Sequence, residues 1–296
     1  VRIDDRQLAE IDERGFVVVE GFLGAAELAA AQACLADNFP EPSDYFADPG
    51  RYPQFGASQF AGLRRYPFRG WDLNRLAFHP DLVDAVERYF GTDDIELYKG
   101  ELWAKYSGAI DYDQNHHRDF SNHSIVAPRT DGLDRQLTTF LLLSDVTADD
   151  GPTALVPLFE GASTPFFSGR GRYSADTAVA PGAFADVEVP ATGPAGSLLL
   201  YRSDVLHRAT TFRGHGRSRF TMLVDFQRRG PTWAGKMSWP DRSNNDQWGE
   251  TMERATPVER RLFGFPAIGD PYWNEQTLAD VQARYPRMDM RPYRIG

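Results

Sequence analysis

The sequence predicts a mainly β protein with flanking helices, and three observations carry that expectation. From about Ile95 to Gln227 short β-rich runs follow one another with Gly, Pro and Asp between them; no long helical pattern interrupts them; and helix formers gather in the first ninety residues and in the tail. Strands separated by turn signals argue for an antiparallel sandwich or barrel and against a βαβ sheet. A chain of 296 residues buries about 75% of its unfolded surface, enough for one large core. The expected organisation is a single domain over 1–296, with a helical N-terminal cover and loops at 1–94, the β core at 95–230 and a helical, aromatic C-terminal extension at 231–296.

Residues 5–14 place Leu8 and Ile11 at helical spacing, with Gly15 where a left-handed cap belongs. Phe16 to Val19 is β-branched enough for a strand, and Ala25 to Leu35 is rich in the strongest helix formers. The stretch 39–70 mixes Pro, Gly and aromatic residues without a period and reads as a long structured loop. A helix is expected to enter at His79-Pro80-Asp81 and run to Phe90 and Gly91, since Pro suits a first turn and Asp81 its positive end. Strands are expected at 95–104, 117–120, 136–144, 153–157, 185–190, 197–201, 205–209 and 218–227. The tail carries Trp233, Trp239, Trp248 and Trp273 and short helices near 257–263 and 275–284, which suits packing against the core.

Composition excludes several classes. Thirty-two basic against 42 acidic residues give a net charge of −10, which removes the attraction to phosphate backbones that nucleic-acid binders use. No apolar run is long enough to span a membrane, and the charged opening VRIDDRQLAEIDERG does not resemble a signal peptide. The one cysteine, Cys34, leaves no intrachain disulfide and no Cys-rich zinc motif, which fits a reducing cytoplasm.

Six histidines are few enough to weigh singly. Composition alone makes a single His-x-acid pair unremarkable, and the one at His79-Pro80-Asp81 reads as helix entry. His117-Arg118-Asp119 differs, because on a strand the period of two sends His117 and Asp119 to one face. His207, in LLLYRSDVLHRATTF, is the histidine of the later strands with an apolar frame, and a jelly roll brings such distant strands together. Two His and one carboxylate leave three positions open on an octahedral metal, the set associated with non-haem Fe(II) oxygenases; zinc is the rival metal. On spacing alone, ordinary hydrogen-bonded histidines would explain the same residues.

A basic residue in the right neighbourhood tips the balance. Arg217 and Arg219 follow His207 by ten and twelve positions on the run RSRFTMLVDF, alternating onto one face with Thr221 and Leu223. Arg binds carboxylates bidentately. A metal with open sites and an Arg deeper in the pocket suits a 2-oxo dicarboxylic acid: one arginine captures its far carboxylate while the other forms a surface ion pair.

At this point the chain resembles the phytanoyl-CoA dioxygenase family of Fe(II)- and 2-oxoglutarate-dependent oxygenases. The resemblance runs through LAEIDERGFVVVEGFLGAAEL, DYDQNHHRDF, LTTFLLLSDVTADDGPTALVP, GSLLLYRSDVLHRATTF and RSRFTMLVDF, in that order. It implies a double-stranded β-helix core of the jelly-roll or cupin-like kind, Fe(II) on His117, Asp119 and His207, and 2-oxoglutarate as cosubstrate with O2. It implies further that Arg219, with Arg217 as second choice, holds the 2-oxoglutarate, and that Lys105 in WAKYSG lines its pocket. The expected reaction is hydroxylation of a small organic molecule with release of succinate and CO2. Relatives also epimerise, desaturate or cyclise, and retention of Asp119 argues against halogenation. Pro157-Leu158-Phe159-Glu160 departs from the Pro-Gly-Ser-His that relatives often carry, which points to a rebuilt loop.

Around the triad, Arg118 should point away from the ligands into a structural ion pair, and His123 suits the pocket mouth. The segments 39–70 (Tyr45, Phe46, Phe60, Arg64) and 160–182 (Phe166, Phe167, Arg170) are candidate lids or packing cover. Two other readings stay open at this stage: a zinc-type hydrolase or isomerase on the same triad, and a non-catalytic jelly-roll binding module. No nucleic-acid or membrane partner is expected.

Overall fold

The computed structural model describes residues 2–119, 136–165, 179–180, 182–230, 239 and 245–294. Helix α1 (Asp5–Arg14) starts at a reciprocal cap, in which the Gln7 backbone N–H donates to the Asp4 carboxylate and the Asp4 N–H donates to the Gln7 side chain. It buries Leu8 and Ile11 and ends at Gly15, whose φ of 94° only glycine adopts without strain. Space also demands glycine there, because a Cβ would stand 2.4 Å from Val205 Cγ2. The chain turns directly into β1 (Phe16–Val19) and then α2 (Ala25–Ala33).

The segment 39–70 is not the loop its sequence suggested. It folds into α3 (Pro42–Ala47), α4 (Gln54–Ala57) and β2 (Leu63–Arg65), with a 3-10 turn at Pro49–Arg51. Helices this short show too few turns to print a periodicity. After α5 (Trp71–Asn74), α6 (Pro80–Phe90) enters as expected: His79 is its N-cap, with Nδ1 accepting from the Asp81 N–H at 3.2 Å and Nε2 meeting Glu27 at 3.1 Å. The first His-x-acid pair is thus structural.

The β elements are β3 (Ile95–Tyr106), β4 (Gln136–Leu142), β5 (Thr153–Leu155), β6 (Val189–Pro190), β7 (Leu198–Arg202), β8 (His207–Ala209) and β9 (Ser218–Arg228), with the one-turn α7 (Leu158–Gly161) after β5. They form a jelly roll. One sheet has six antiparallel strands in the order β1-β7-β4-β9-β3-β2, and the other three in the order β6-β5-β8. Two expectations shrink. The run 117–120 contributes a single bridge, His117 with His207, in place of a ladder, and 185–190 keeps only Val189–Pro190 as strand because a turn occupies 182–187. The larger sheet also takes its outer strands β1 and β2 from the N-terminal ninety residues, so the strands are not confined to 95–230.

Alternation splits the core into two layers. On the helix side, Leu102, Ala104, Leu137, Leu141, Met222, Val224 and Phe226 join the helices in one apolar mass. Between the sheets, Phe16, Phe140, Leu155, Leu199, Tyr201, Val205 and Leu223 form a second, smaller cluster. The tail adds α8 (Asp246–Arg254), absent from the sequence reading, then α9 (Pro257–Arg261) and α10 (Glu275–Arg284). Trp239, Trp248, Phe263 and Tyr285 belong to the helix-side layer, and the Phe263 ring stacks on Tyr66 at 5.5 Å. Among the described residues, no helix is long and apolar enough to cross a membrane.

Candidate metal centre

His207 opens β8 while His117 stands beside it on the edge of the same sheet. The two exchange both backbone hydrogen bonds, N to O 2.9 and 3.0 Å, and their rings lie 4.6 Å apart. Each imidazole is oriented by a carbonyl two residues upstream: His117 Nδ1 lies 2.8 Å from Asn115 O and His207 Nδ1 3.1 Å from Val205 O. An Nδ1–H donating to a carbonyl leaves Nε2 as the free lone pair, the tautomer a metal requires. Both Nε2 atoms face Asp119, at 3.5 Å from Oδ1 and Oδ2 respectively. One ligand atom from each of His117, Asp119 and His207 fits within 4.8 Å of the others, and no other such His, Cys, Asp and Glu grouping occurs among the described residues. Two imidazoles and a carboxylate gathered on one side are a donor set that fits Fe(II), with positions left open for other ligands.

The residues flanking the ligands are clamped. Glu188 accepts both Nε and a terminal nitrogen of Arg208 at 2.7 and 2.6 Å, and sits 2.7 Å from His116 Nε2. It therefore joins the neighbour of His117 to the neighbour of His207. Burial lowers the His116 pKa while Glu188 opposes the shift. Arg118 binds backbone carbonyls. Its buried guanidinium donates to the carbonyls of Asp204, Gly161 and Thr164 at 2.7, 3.0 and 3.1 Å, anchoring the segment between His117 and Asp119 to the turn that leads into β8. His123, Asn122, Phe166, Phe167 and Arg170 lie outside the described residues.

The opposite wall is the inner face of the larger sheet. Register puts Lys99 opposite Asp225, Asp225 opposite Thr138 and Thr138 opposite Tyr201, a polar row across four strands. The Tyr201 ring lies 5.2 Å from that of His207, so the row runs beneath the triad. Lys99 reaches Glu101 at 3.2 Å and Asp225 at 3.8 Å. Burial pushes the Asp225 carboxyl up to about 7, opposed by Lys99 and reinforced by Glu101 and Asp119. None of these row residues was singled out from sequence. The signal was present, since KGELWAKY puts a polar or aromatic group at every second position of a strand flanked by apolar residues.

Farther along the same face, Lys105 pairs with Arg219 across β3 and β9. Arg219 is 5% exposed and donates to the carbonyls of Gly151 and Asp150; Gly151, with a φ of 62°, brings its backbone close because a Cβ would meet Thr210 O at 2.8 Å. Burial lowers the Arg219 pKa to about 10 against the pull of Asp111 and Asp150. Lys105 donates to Asp111 at 2.7 Å, and burial with the neighbouring Arg219 charge lowers it to about 8. Arg217 lies outside this enclosure: its half-exposed side chain is bound to the buried Asp150 carboxylate at 2.7 Å. Of the lid candidates, Tyr45 is buried with its ring stacked on Tyr106 at 4.2 Å, and Arg64 covers Phe39, so both are packing; Phe60 stays exposed, stacked on Trp103.

A jelly roll that gathers two imidazoles and a carboxylate between its sheets defines the class of cupin-like, metal-centred enzymes. The phytanoyl-CoA dioxygenase (PhyH) family model matches residues 11–221, and the chain belongs to that family. Among curated proteins, no sequence matches the chain. Among solved structures it is similar to the alpha ketoglutarate dependent carbocyclase SnoK from nogalamycin biosynthesis (15% identity, TM-score 0.58, covering 82% of this chain and 90% of that one). It is also similar to the epimerase SnoN, solved with Fe3+, alpha ketoglutarate and nogalamycin RO (19%, 0.52, 75% and 82%). A third is HygX from Streptomyces hygroscopicus, solved with nickel, 2-oxoglutarate and hygromycin B (17%, 0.52, 79% and 90%). At these identities the likeness is one of fold.

Proposed function

We propose that the protein is a non-haem Fe(II)- and 2-oxoglutarate-dependent oxygenase that hydroxylates a small organic molecule with release of succinate and CO2. The observation that carries the reading is the pairing of one metal-competent triad with one buried arginine on the facing wall. His117, Asp119 and His207 would hold the iron; Arg219 would hold the distal carboxylate of 2-oxoglutarate, with Lys105 adding positive charge beside it. Arg219 fits this task because its Nε is enclosed without a hydrogen-bond partner and only carbonyls meet its terminal nitrogens among the described residues. A buried guanidinium in that state favours an anion.

Iron and the 2-oxo acid would draw on O2 for an oxidising power that no side chain has. The chain's own residues do the rest. Asn115 O and Val205 O fix the imidazole tautomers, Glu188 and Arg118 hold the ligand segments in register, and the apolar residues between the sheets exclude water from the cosubstrate floor. The three similar proteins are solved or described with alpha ketoglutarate or 2-oxoglutarate, and two of them with nogalamycin RO or hygromycin B, which supports a small-molecule substrate for this chain too. Its lone cysteine suits a cytoplasmic site of action.

The test is an anaerobic titration of metal-free protein with Fe(II) and then 2-oxoglutarate, reading the visible charge-transfer band of a chelated 2-oxo acid. We expect the band in the native protein and none in His207→Ala, and loss of 2-oxoglutarate turnover in His117→Ala, Asp119→Ala and His207→Ala alike. Turnover retained in any of the three would sink the triad assignment. Tight Zn(II) binding with no band would favour a hydrolase on the same ligands.

A further inference from the structure

Six residues beyond Arg219 on β9, the polar row beneath the triad holds buried acceptors that receive no hydrogen. Both carboxylate oxygens of Asp225 and the Gln136 Oε1 are enclosed, and none has a hydrogen-bond partner among the described residues. Folded proteins pair nearly all such groups, so each unpaired one calls for a reason. The free Gln136 oxygen is no accident of amide orientation. The Glu96 carboxylate, which only accepts, takes Gln227 Nε2 at 2.7 Å; Gln227 Oε1 then takes Gln136 Nε2 at 2.9 Å, and Gln136 Oε1 is left over. Register pairs Gln136 with Gln227 and Thr138 with Asp225, so positions two apart on β4 and β9 bring the free acceptors to one face.

The charges at this end do not balance. The charged neighbours of Asp225 are Lys99, Glu101 and Asp119, and Asp119 belongs to the metal triad. Two carboxylates therefore share one ammonium, with Lys99 Nζ at 3.2 Å from Glu101 and at 3.8 Å from Asp225, beyond hydrogen-bond length. Asp225 is 1% exposed, so water does not make up the deficit. The missing partner carries one positive charge and several hydrogens. A primary ammonium has three donors, one for each free acceptor atom, whereas a hydroxyl has one and no charge. Asp225 lies two strands from Tyr201, about 10 Å at the spacing of a sheet, and the Tyr201 ring is 5.2 Å from that of His207. A group held at Asp225 is thus a handle several bonds away from a carbon presented to the metal.

We infer that the substrate is an amine, and that Asp225 and Gln136 hold its ammonium while the carbon to be oxidised lies over the triad. The inference rests on the oxygenase reading above and adds to it the class of substrate and two residues that select it. Lys99 covers Asp225 on a flexible stem and keeps its shorter bond, to Glu101, when the incoming ammonium takes the Asp225 carboxylate.

The experiment adds hexylamine, 1-hexanol or hexanoate to the anaerobic Fe(II)- and 2-oxoglutarate-loaded protein, with binding measured by calorimetry and by the shift of the charge-transfer band. The native protein should bind the amine on the order of tenfold more tightly than the alcohol, the worth of a hydrogen bond to a charged group, and the carboxylate most weakly. Asp225→Asn keeps the side-chain shape and should weaken the amine on the order of tenfold while the alcohol stays within about twofold. Gln136→Met removes only the neutral acceptor and should cost the amine about threefold. No preference for the amine in the native protein, or equal weakening of amine and alcohol in Asp225→Asn, overturns the amine site and leaves the oxygenase reading standing, since the band with 2-oxoglutarate is recorded before any probe is added. A native protein that forms no such band overturns the oxygenase reading, and the amine site falls with it.

Discussion

The two sheets that enclose the site hold their functional groups by different means. The larger sheet carries Arg219 and Lys105 on long, regular strands, where the β3–β9 ladder fixes each side chain by register. The smaller sheet carries His207 on a three-residue strand and His117 on a single bridge, and its geometry depends on side-chain clamps at Glu188 and Arg118. A regular ladder positions a residue through backbone bonds that survive most substitutions. A short edge positions it only while its clamps persist. The first wall should therefore respond to changes in the contacting side chain itself, and the second to changes one residue removed from it.

The largest effect should come from the first wall. Arg219→Met removes the buried cation while keeping bulk, and should weaken 2-oxoglutarate binding on the order of a hundredfold, the scale of one lost charge-assisted bidentate contact. Arg217→Ala, two residues away and just before the same strand, removes a partner of Asp150 outside the enclosure and should change it by less than about tenfold, through the buried carboxylate it leaves unpaired and not through a lost cosubstrate contact. Titrating both variants with the cosubstrate checks the contrast. A larger loss in Arg217→Ala would reverse the assignment of the two arginines.

On the second wall, Glu188→Gln leaves every ligand in place but weakens the link between His116 and Arg208. Removing a group that orients metal ligands costs metal affinity by roughly 10- to 100-fold, and we expect the lower end because Arg118 still holds its own carbonyls. Competition for Fe(II) against a chelator measures it. Affinity equal to that of the native protein would mean that the His117–His207 bridge suffices on its own.

The same contrast explains what the sequence disclosed. The strands of the larger sheet announce themselves by composition and alternation, which puts Arg219 on one face; Lys105 was expected from the family resemblance alone, and its place opposite Arg219 comes from the register. Helices α1 and α6 are legible through their caps, Gly15 and His79-Pro80-Asp81. His117, Asp119 and His207 could be named because His-x-Asp and a distant histidine survive as residue types whatever the local structure. Their supports could not: Glu188 meets His116 from 72 positions away, and Arg118 meets backbone carbonyls, which have no sequence signature. For the same reason the one-turn and two-turn helices of 39–70 passed as loop.

The smallest effect separates charge from hydrogen bonding on the first wall. Burial and the Arg219 charge bring Lys105 down to about 8, from an ordinary value of 10.5. A lysine is charged below its pKa, so its help to an incoming carboxylate is complete at pH 7 and fades as the pH rises through 8. Folding stability moves the other way: the unfolded chain keeps the proton between about 8 and 10.5, hence the Lys105 contribution to unfolding free energy rises with pH over that window. Cosubstrate affinity should thus fall a few-fold, about the worth of a partly screened ion pair, between pH 7 and 9. Lys105→Arg, whose guanidinium stays protonated throughout, should flatten the fall, while Lys105→Met should lower affinity at pH 7 and also abolish the slope. If the native slope persisted in Lys105→Met, the titrating group would lie elsewhere, and Arg219 would be holding the carboxylate without aid from Lys105.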